Sequence, residues 1–574
     1  MSTTGEQIDA QKSGSVSGVQ LAQGIGHQPA KGFWTEAWAQ VLSRPAAVAG
    51  IVWVAIVTFF AIFSPLIASG HPLIAWELNA DGSRGPMHSP MIQTLSGADV
   101  TLIIFGVFAP IFMLISVPKL DYGKKIRLLI AGAAQMGIAV IMSRIVESYF
   151  TQRDATGFVA EWGHHELFAP VSALLVAAIS AIPFLLISLL AYWSLPRVLY
   201  VAVIMLISFG VVWWKWSPNL NNFDYRVQES TARLDARYTL IPFSSTQSET
   251  AMFNREPGST PMNAIWDRVE KWQRDNDGRA ARYSNEELAD LPVGSEVFDL
   301  MHSVSDSFES LLSQPIHDVV DSVREQHDSG QIENMLQLRE AIKSYPAPVH
   351  ILGTDTLGQD VLSQMLHACR LAISIGFVST GIAVVIGVTI GSLMGYFGGW
   401  IDLLLYRVVE IFMAIPVLFL LIVAAGLLPR NTYVMMAIIG CFTWTGAARF
   451  IRAEFMKLRE TDYVQAARAM GLPLWSILFK HMLPNGVTPV LVESSFLIAA
   501  AILIEATLSF LGLGPSGQAS WGSLLRNATG EAGGFIWWLA IFPGAAIFLT
   551  TLAYNLIGEA LRDAIDPKLK KARV

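Results

Sequence analysis

The sequence predicts an all-α polytopic membrane protein with about ten transmembrane helices and an α-rich domain outside the membrane. Three observations predict it. The composition is 53% hydrophobic and only 15% charged, with a mean hydropathy of +0.46, too apolar for a chain that folds in water. Several runs exceed the roughly 18 apolar residues that a membrane-crossing helix needs. A single long polar interval, 216–368, separates two groups of such runs.

In chain order, residues 1–31 are polar, rich in Gly, Gln and Ser, and lack a signal-peptide pattern; a disordered tail is expected. An amphipathic lead-in helix completes the segment 1–45. Apolar runs at 46–68, 100–117, 126–146, 168–193, 197–214, 371–397, 402–428, 432–450, 486–511 and 535–557 read as spans. The first core span is thus 46–68. Four spans fall in 69–215, the outer domain is 216–368, and five spans fall in 369–574. Basic residues cluster at Lys119, Lys124, Lys125 and Arg127, at Arg452, Lys457, Arg459, Arg468 and Lys480, and at Arg562, Lys568, Lys570, Lys571 and Arg573. With ten spans and a cytoplasmic N-terminus these clusters all fall on the cytoplasmic side. The acidic 147–167 loop and the 216–368 domain then face outward. In 285–342 apolar residues recur at helical spacing, as at Leu300, Val304, Phe308, Leu311 and Leu312.

The net charge of −7 and the absence of a strong basic block argue against a nucleic-acid partner. The two cysteines, Cys369 and Cys441, lie in or beside spans and offer no disulfide framework. No GxxxxGK[ST], GxSxG or CxxC occurs, so no nucleotide or cofactor is expected on this chain. His164-His165-Glu166 is not HExxH, because Ala169 stands where the second histidine would be, and a solvated cluster is expected rather than a metal site. Trp213, Trp214, Trp216, Trp537 and Trp538 read as interfacial anchors.

The most informative stretch is 454–485, EFMKLRETDYVQAARAMGLPLWSILFKHMLPN, between two spans. Asp462 reads as an N-cap with Gln465 three residues on, as in a capping box. Gly471 suits the left-handed residue that ends a helix, and Pro473 follows it. The short helix carries Tyr463, Ala466, Ala467 and Met470, and its alanines allow another protein surface to come close. A rigid lever on a membrane domain is what an external motor protein needs to push.

This stretch resembles the EAA loop of bacterial ABC-importer permeases, with Gln465 where the pattern has Glu. His350 to Leu371, HILGTDTLGQDVLSQMLHACRL, is similar to the HPLGTDxLGRDVLSRLxYGAR stretch of oligopeptide/dipeptide permease C-type subunits. Ile351, Gln359 and His367 replace its Pro, Arg and Tyr. Gly353, Thr354, Asp355, Asp360 and Arg370 form the expected outer-interface motif. Thr354 and Asp355 are expected to cap a helix starting near Leu357, and Asp360 and Arg370 to anchor the chain. GYFGGWID (395–402), EATLSFLGLGPSGQASWG (505–522), Pro543-Gly544, NLIGEALRD (555–563) and Asp566-Pro567-Lys568 extend the resemblance over 350–574, joined by Phe33 to Ala68. SPLIASGHPLIAWELNADG (64–82) and IPFSSTQSE (241–249) more weakly resemble microcin-C-type permeases.

The resemblance implies an ABC type I importer core in the bacterial cytoplasmic (inner) membrane, with both termini cytoplasmic. It implies a second homologous permease, two ABC ATPase subunits that use ATP and Mg, an extracytoplasmic solute-binding protein, and alternating access driven through the lever. Di- or tripeptides, longer peptides, metal chelates and peptide antibiotics all stay open as solutes. Shorter members lack the four spans in 100–214, which are expected to form a peripheral bundle outside the solute path. Glu410 and Glu505 lie in apolar segments, where a mid-bilayer carboxylate costs roughly 2.5–3.5 kcal/mol; pathway lining and a structural hydrogen bond both stay open. Two readings of other classes are a membrane-embedded hydrolase using His164, His165 and Glu166, and a receptor or sensor that reuses the permease fold.

Overall fold

A computed structural model of the chain describes residues 33–79, 81, 83–115, 122–150, 168–190, 195–214, 225–230, 233–305, 316–529 and 534–565. The 1–31 tail, Lys119, His164-His165-Glu166, Trp216, Phe308, Leu311, Leu312 and the basic residues from Lys568 onward lie outside the described residues.

Among those described, six helices are long and apolar enough to cross a membrane, and two bent pairs bring the number to eight if each pair is one span. The runs expected at 168–193 and 197–214 appear as shorter apolar helices, Ala169–Leu185 and Val198–Trp214. The first span, Pro45–Ile67, opens on a proline, whose missing N–H costs nothing at that position. It packs with the long helix Val361–Phe397, with Thr488–Phe510 and with Trp537–Ile565 around Val57, Ala61, Ala372, Ile502 and Ile547. The lead-in helix Phe33–Leu42 lies on the end of Trp537–Ile565, burying Ala37 and Val41 against Ala560 and Ala564. Arg44 Nη1 pairs with Asp563 Oδ2 at 2.6 Å beside it.

The all-α expectation needs one correction. A three-stranded antiparallel sheet forms from β1 (Ile74–Leu78), β2 (Arg84–His88) and β3 (Leu234–Arg237), in the order β2-β1-β3. Ala75, buried, pairs with His88 on one side and Ala236 on the other. The chain leaves this sheet after β2, makes the helices Gly97–Leu114, Tyr122–Phe150, Phe168–Leu190 and Leu195–Trp214, and returns to it at β3. The four helices are therefore a detour between two strands of one sheet. Gly97–Leu114 opens with a capping box, Ser96 N donating to Asp99 Oδ2 at 2.7 Å and Asp99 N to Ser96 Oγ at 3.2 Å. Few of its residues are buried inside the chain, whereas about half of those in the apolar stretch of Val361–Phe397 are, so this helix meets the core along a narrow edge. Gly106 against Ile62 and the Asp99–Arg370 ion pair form part of that edge.

The segment expected to lie outside has a core of its own, with Met262, Trp266, Phe298, Met301, Val320, Met335 and Leu338 all buried. Leu300 and Val304 pack against its edge.

The expected span 402–428 is not one helix. Gly399–Ala414 and Val417–Leu427 meet at 80°. Pro416 is the cause: it cannot donate an N–H to the helix, and it pushes Ile415 to an extended φ of −96° and ψ of 127°. The next pair, Thr432–Thr443 and Thr445–Leu458, bends by 43°.

The long helix and Thr445–Leu458 pack backbone to backbone. Gly387, Gly391 and Gly395 stand four residues apart on one face of the long helix, and an added Cβ would come within 2.7 Å of Ala447, 2.5 Å of Ala448 O and 2.5 Å of Phe455 Cβ. Gly391→Val should therefore destabilise the core by about 1–3 kcal/mol through overpacking. Gly137→Ala, where an added Cβ meets no atom within 4 Å, should be near neutral. Thermal unfolding of the two variants in one detergent checks this; equal midpoints would contradict the close approach.

Candidate coupling site

The segment expected to act as a lever forms the helix Asp462–Ala469. Its N-cap is Thr461, not Asp462, with no side-chain cap bond; Asp462 takes the first helical position, where its charge still favours the helix N-terminus. Gln465 is correspondingly one position too far for a capping box, and its Nε2 donates to Glu460 O at 3.2 Å instead. The helix end matches expectation. Gly471 has φ +71°, its N–H donates to Arg468 O at 3.0 Å, and Leu472 N donates to Ala467 O at 3.2 Å. That bond pair is a Schellman motif.

The lever has two faces. Val464 and Ala467 are buried with Phe455, Leu458, Ile477, Leu478 and Met482. Tyr463, Gln465, Ala466 and Met470 are exposed, and Trp475 beyond them is 71% exposed. Of the two alanines expected to face a partner, only Ala466 is exposed; Ala467 belongs to the packing beneath. Ser476–Met482 continues as a π-helix and supplies that underside.

Two contacts tie the lever's base to neighbouring helices. Asp402 takes a bidentate pair from Arg452, Nε to Oδ1 at 2.5 Å and Nη2 to Oδ2 at 2.7 Å, and the guanidinium lies 4.7 Å over the Tyr406 ring. Arg468 on the lever stands 5.6 Å over Tyr396 near the end of the long helix. A cavity of about 520 Å³ opens next to the lever's base, lined by Glu454, Asn485, Glu493, Phe496 and Arg562 among others. Sequence reading did not single out Asp402–Arg452, Glu493 or the glycine stripe. The four-residue spacing in GVTIGSLMG was the available signal for the stripe; nothing local marked the other two.

The two intramembrane carboxylates differ. Glu505 is buried, and Ser509 Oγ and Ser520 Oγ donate to its Oε1 at 2.6 and 2.7 Å. It clasps the 505–522 segment together, the structural alternative of the two readings. Glu410 is half-buried and pairs with Arg407 at 2.5 Å.

The outer motif is a knot rather than a simple cap. The long helix begins at Val361, and Asp360, not Thr354 or Asp355, caps it, with Ser363 N donating to Oδ2 at 2.7 Å. Asp360 Oδ1 meets His350 Nδ1 at 2.8 Å, both side chains buried, and Phe243 stacks on the His350 ring at 3.9 Å. Thr354 Oγ1 accepts from Arg255 N at 2.8 Å, and Asp355 Oδ1 accepts from Leu357 N and Gln359 N at 2.9 Å. Gly353, at φ +78°, lies so close to Arg255 O that a Cβ would stand 2.5 Å from it. Gln359 reaches Thr246 O and Ser248 Oγ at 3.2 Å, so the 350–360 and 241–249 motifs meet. Trp538 Nε1 donates to Thr354 O at 3.0 Å. Arg370 pairs with Asp99 of the bundle instead of anchoring at the outer edge. Among the described residues no group of three or more His, Cys, Asp or Glu could hold a metal ion.

Residues 387–571 match the family described as binding-protein-dependent transport system inner membrane component, and residues 32–82 match the N-terminal transmembrane domain of oligopeptide transport permease C. Residues 83–386 lie outside both matches. The glutathione transport system permease protein GsiD of Pectobacterium atrosepticum is 38% identical over 226 residues, 39% of this chain and 75% of that protein. The peptidoglycan transport system permease protein YejE of Agrobacterium fabrum is 39% identical over 218 residues, 38% of this chain and 57% of that protein. The dipeptide transport system permease protein DppC of Alkalihalophilus pseudofirmus is 35% identical over 232 residues, 39% of this chain and 74% of that protein.

The lever's two faces separate two substitutions of the same chemistry. Ala467→Glu puts an unpaired carboxylate among Phe455, Leu458 and Met482, which costs several kcal/mol. Tryptic cleavage at Arg468 should then accelerate by about tenfold or more, while Ala466→Glu should leave it at the parental rate. Equal cleavage of the two variants would contradict the burial of Ala467.

Proposed function

Because this chain belongs to the family of binding-protein-dependent transport system inner membrane components, we propose that it works as a permease subunit of an oligopeptide-type ATP-driven importer for peptides or peptide-like solutes. It is a multi-pass protein of the bacterial inner membrane and a transport subunit; ATP hydrolysis belongs to separate ATPase subunits, and a substrate-binding protein supplies the solute. In the assembly we propose, a second homologous permease completes the path, and two ATPases carry the ATP and magnesium. Both termini are cytoplasmic.

The two-faced lever is the observation that carries the coupling step. Its underside is fixed in the cluster around Phe455 and Met482, and its exposed face offers Tyr463, Ala466, Met470 and Trp475 to a partner. An ATPase that closes on this face in one nucleotide state contacts it differently in the other. That difference biases the permease between inward- and outward-open arrangements. The lever transmits the movement because Thr445–Leu458 and the long helix are packed too closely to slide independently. Gln465 keeps the reach of the glutamate found in the family pattern without its charge, so an ionic contact at this position is not part of the mechanism. The names of the relatives attach to glutathione, dipeptide and peptidoglycan transport, which supports a peptide-like solute.

Replacing Ala466 and Met470 together by Glu should lower solute uptake and solute-stimulated ATP hydrolysis at least about tenfold, while membrane insertion stays intact; this needs only the loss of about 1.4 kcal/mol of partner contact. Parental rates for both would overturn the assignment. Orientation is tested with an impermeant thiol reagent on spheroplasts, with the exposed Cys441 replaced by serine. Ser329→Cys should label in intact cells and Glu460→Cys only after lysis. The opposite pattern would reverse the topology.

A further inference from the structure

A cavity of about 610 Å³ lies between the inserted bundle and the permease core, within the roughly 300–1,000 Å³ range of small-molecule sites. Leu102 and Phe105 of Gly97–Leu114 and Gly137 and Val140 of Tyr122–Phe150 line one wall. His367 and Arg370 of the long helix and Met436 of Thr432–Thr443 line the other. Neither family match covers the residues of the first wall.

The lining is amphipathic along the helix axes. His367 and Arg370 lie in the first turns of the long helix, and Thr246, Thr432 and Gln518 join them from the loops and helix start at the same end. Leu102 and Phe105 lie about 4.5 and 9 Å deeper than Asp99 along their helix at 1.5 Å per residue, and Val140, on the neighbouring helix that runs the other way, packs beside Ala98. At the polar end, Arg370 uses Nη1 on Asp99, and a guanidinium carries five N–H donors in all. His367 Nδ1 donates to Ser363 O at 2.9 Å, which leaves Nε2 of the neutral ring as an acceptor, and Gln518, whose Oε1 accepts from Thr432 Oγ1 at 2.8 Å, keeps its amide N–H groups as donors.

This arrangement discriminates between ligand classes. A peptide brings an N–H and a C=O with every residue, and Leu102, Phe105, Val140 and Met436 can satisfy neither. An acyl chain brings no such groups, and acceptor oxygens on its head suit the donors at the mouth. Two of the four lining helices are candidate membrane spans of the bundle and few of their residues are buried within the chain, which gives a lipid-soluble molecule a route in.

We propose that this cavity holds an acyl-bearing amphiphile, its chain between the bundle and the core and its head, carrying acceptor oxygens, at Arg370 and Gln518. The inference goes beyond the transport reading and does not depend on it. The amphiphile comes either from the bilayer or as an acylated solute.

The test uses the full chain in phosphatidylglycerol nanodiscs doped with phosphatidylglycerol bearing a diazirine on its acyl chain. Adducts are mapped by mass spectrometry and normalised to those at Leu206, an exposed bundle residue outside the lining. Enrichment at 102–105 and 137–141 is expected. Gly137→Phe should cut that enrichment at least tenfold, because Gly137 lines the cavity and an added Cβ there meets no atom within 4 Å. Gly137→Leu serves as a milder second occlusion. Gly210→Phe, equally open but outside the lining, should change nothing. Labelling no greater than at Leu206, or unchanged in both Gly137 variants, would overturn the proposal. Displacement by N-palmitoyl-dialanine but not by dialanine assigns the acylated solute; persistence against both assigns the bilayer lipid; displacement by dialanine alone would overturn the amphiphile class.

Discussion

The close approach of the long helix Val361–Phe397 to Thr445–Leu458 is the constraint on which the rest of the permease core depends. Gly387, Gly391 and Gly395 bring the two backbones together where any Cβ would collide with Ala447, Ala448 O or Phe455. In a bilayer there is no hydrophobic drive between apolar helices, so this packing is what holds them. Asp402–Arg452 then fixes the neighbouring helix Gly399–Ala414 to the same support. The lever grows directly from the end of Thr445–Leu458, with Val464 and Ala467 sealed against Phe455 and Leu458. A push on its outer face therefore reaches the long helix without passing through a soft joint.

The long helix also carries the outer domain. At its start, Asp360 caps the first turn, holds His350, and sits in a loop pinned by Arg255, Gln364 and Trp538. One continuous helix thus runs from the outer knot to the support of the lever, 37 residues in all. At 1.5 Å per residue it spans about 55 Å, longer than a bilayer's hydrocarbon core of roughly 30 Å. The helix is thus long enough to carry the knot past the end of a membrane span.

Much of this was legible because membrane chemistry writes long signals. Apolar runs located most helix starts to within a few residues, but Val361–Phe397 begins ten residues before its run, where Ser363, Gln364 and His367 interrupt the apolar pattern, and Thr445–Leu458 and Trp537–Ile565 each run eight residues past theirs. The positive φ of Gly471 was readable from glycine followed by proline. What stayed hidden depends on contacts between distant residues. The β-sheet joins Ile74–Leu78 to Leu234–Arg237 across four intervening helices, and short strands with mixed patterns give no local sign of that. Thr461 and Asp462 compete for one cap, and the packing of Val464 decides the phase of the helix. Ala466 and Ala467 look alike in sequence and differ only in which side Phe455 occupies. Glu505 looked equally like a pathway residue until Ser520, fifteen residues on, folded back to it. The 80° break was within reach, since Pro416 forbids a continuous helix there.

The central claim is that the lever and the long helix move as one body. The direct measurement is a distance between spin labels at Met470 and Phe397, both exposed, with Cys441 replaced by serine. It is recorded in the assembled transporter without nucleotide and with trapped ATP. The account predicts the same distance distribution in both states. A shift of about one helical turn, roughly 5.4 Å, or more would show the lever hinging on its base and would contradict it.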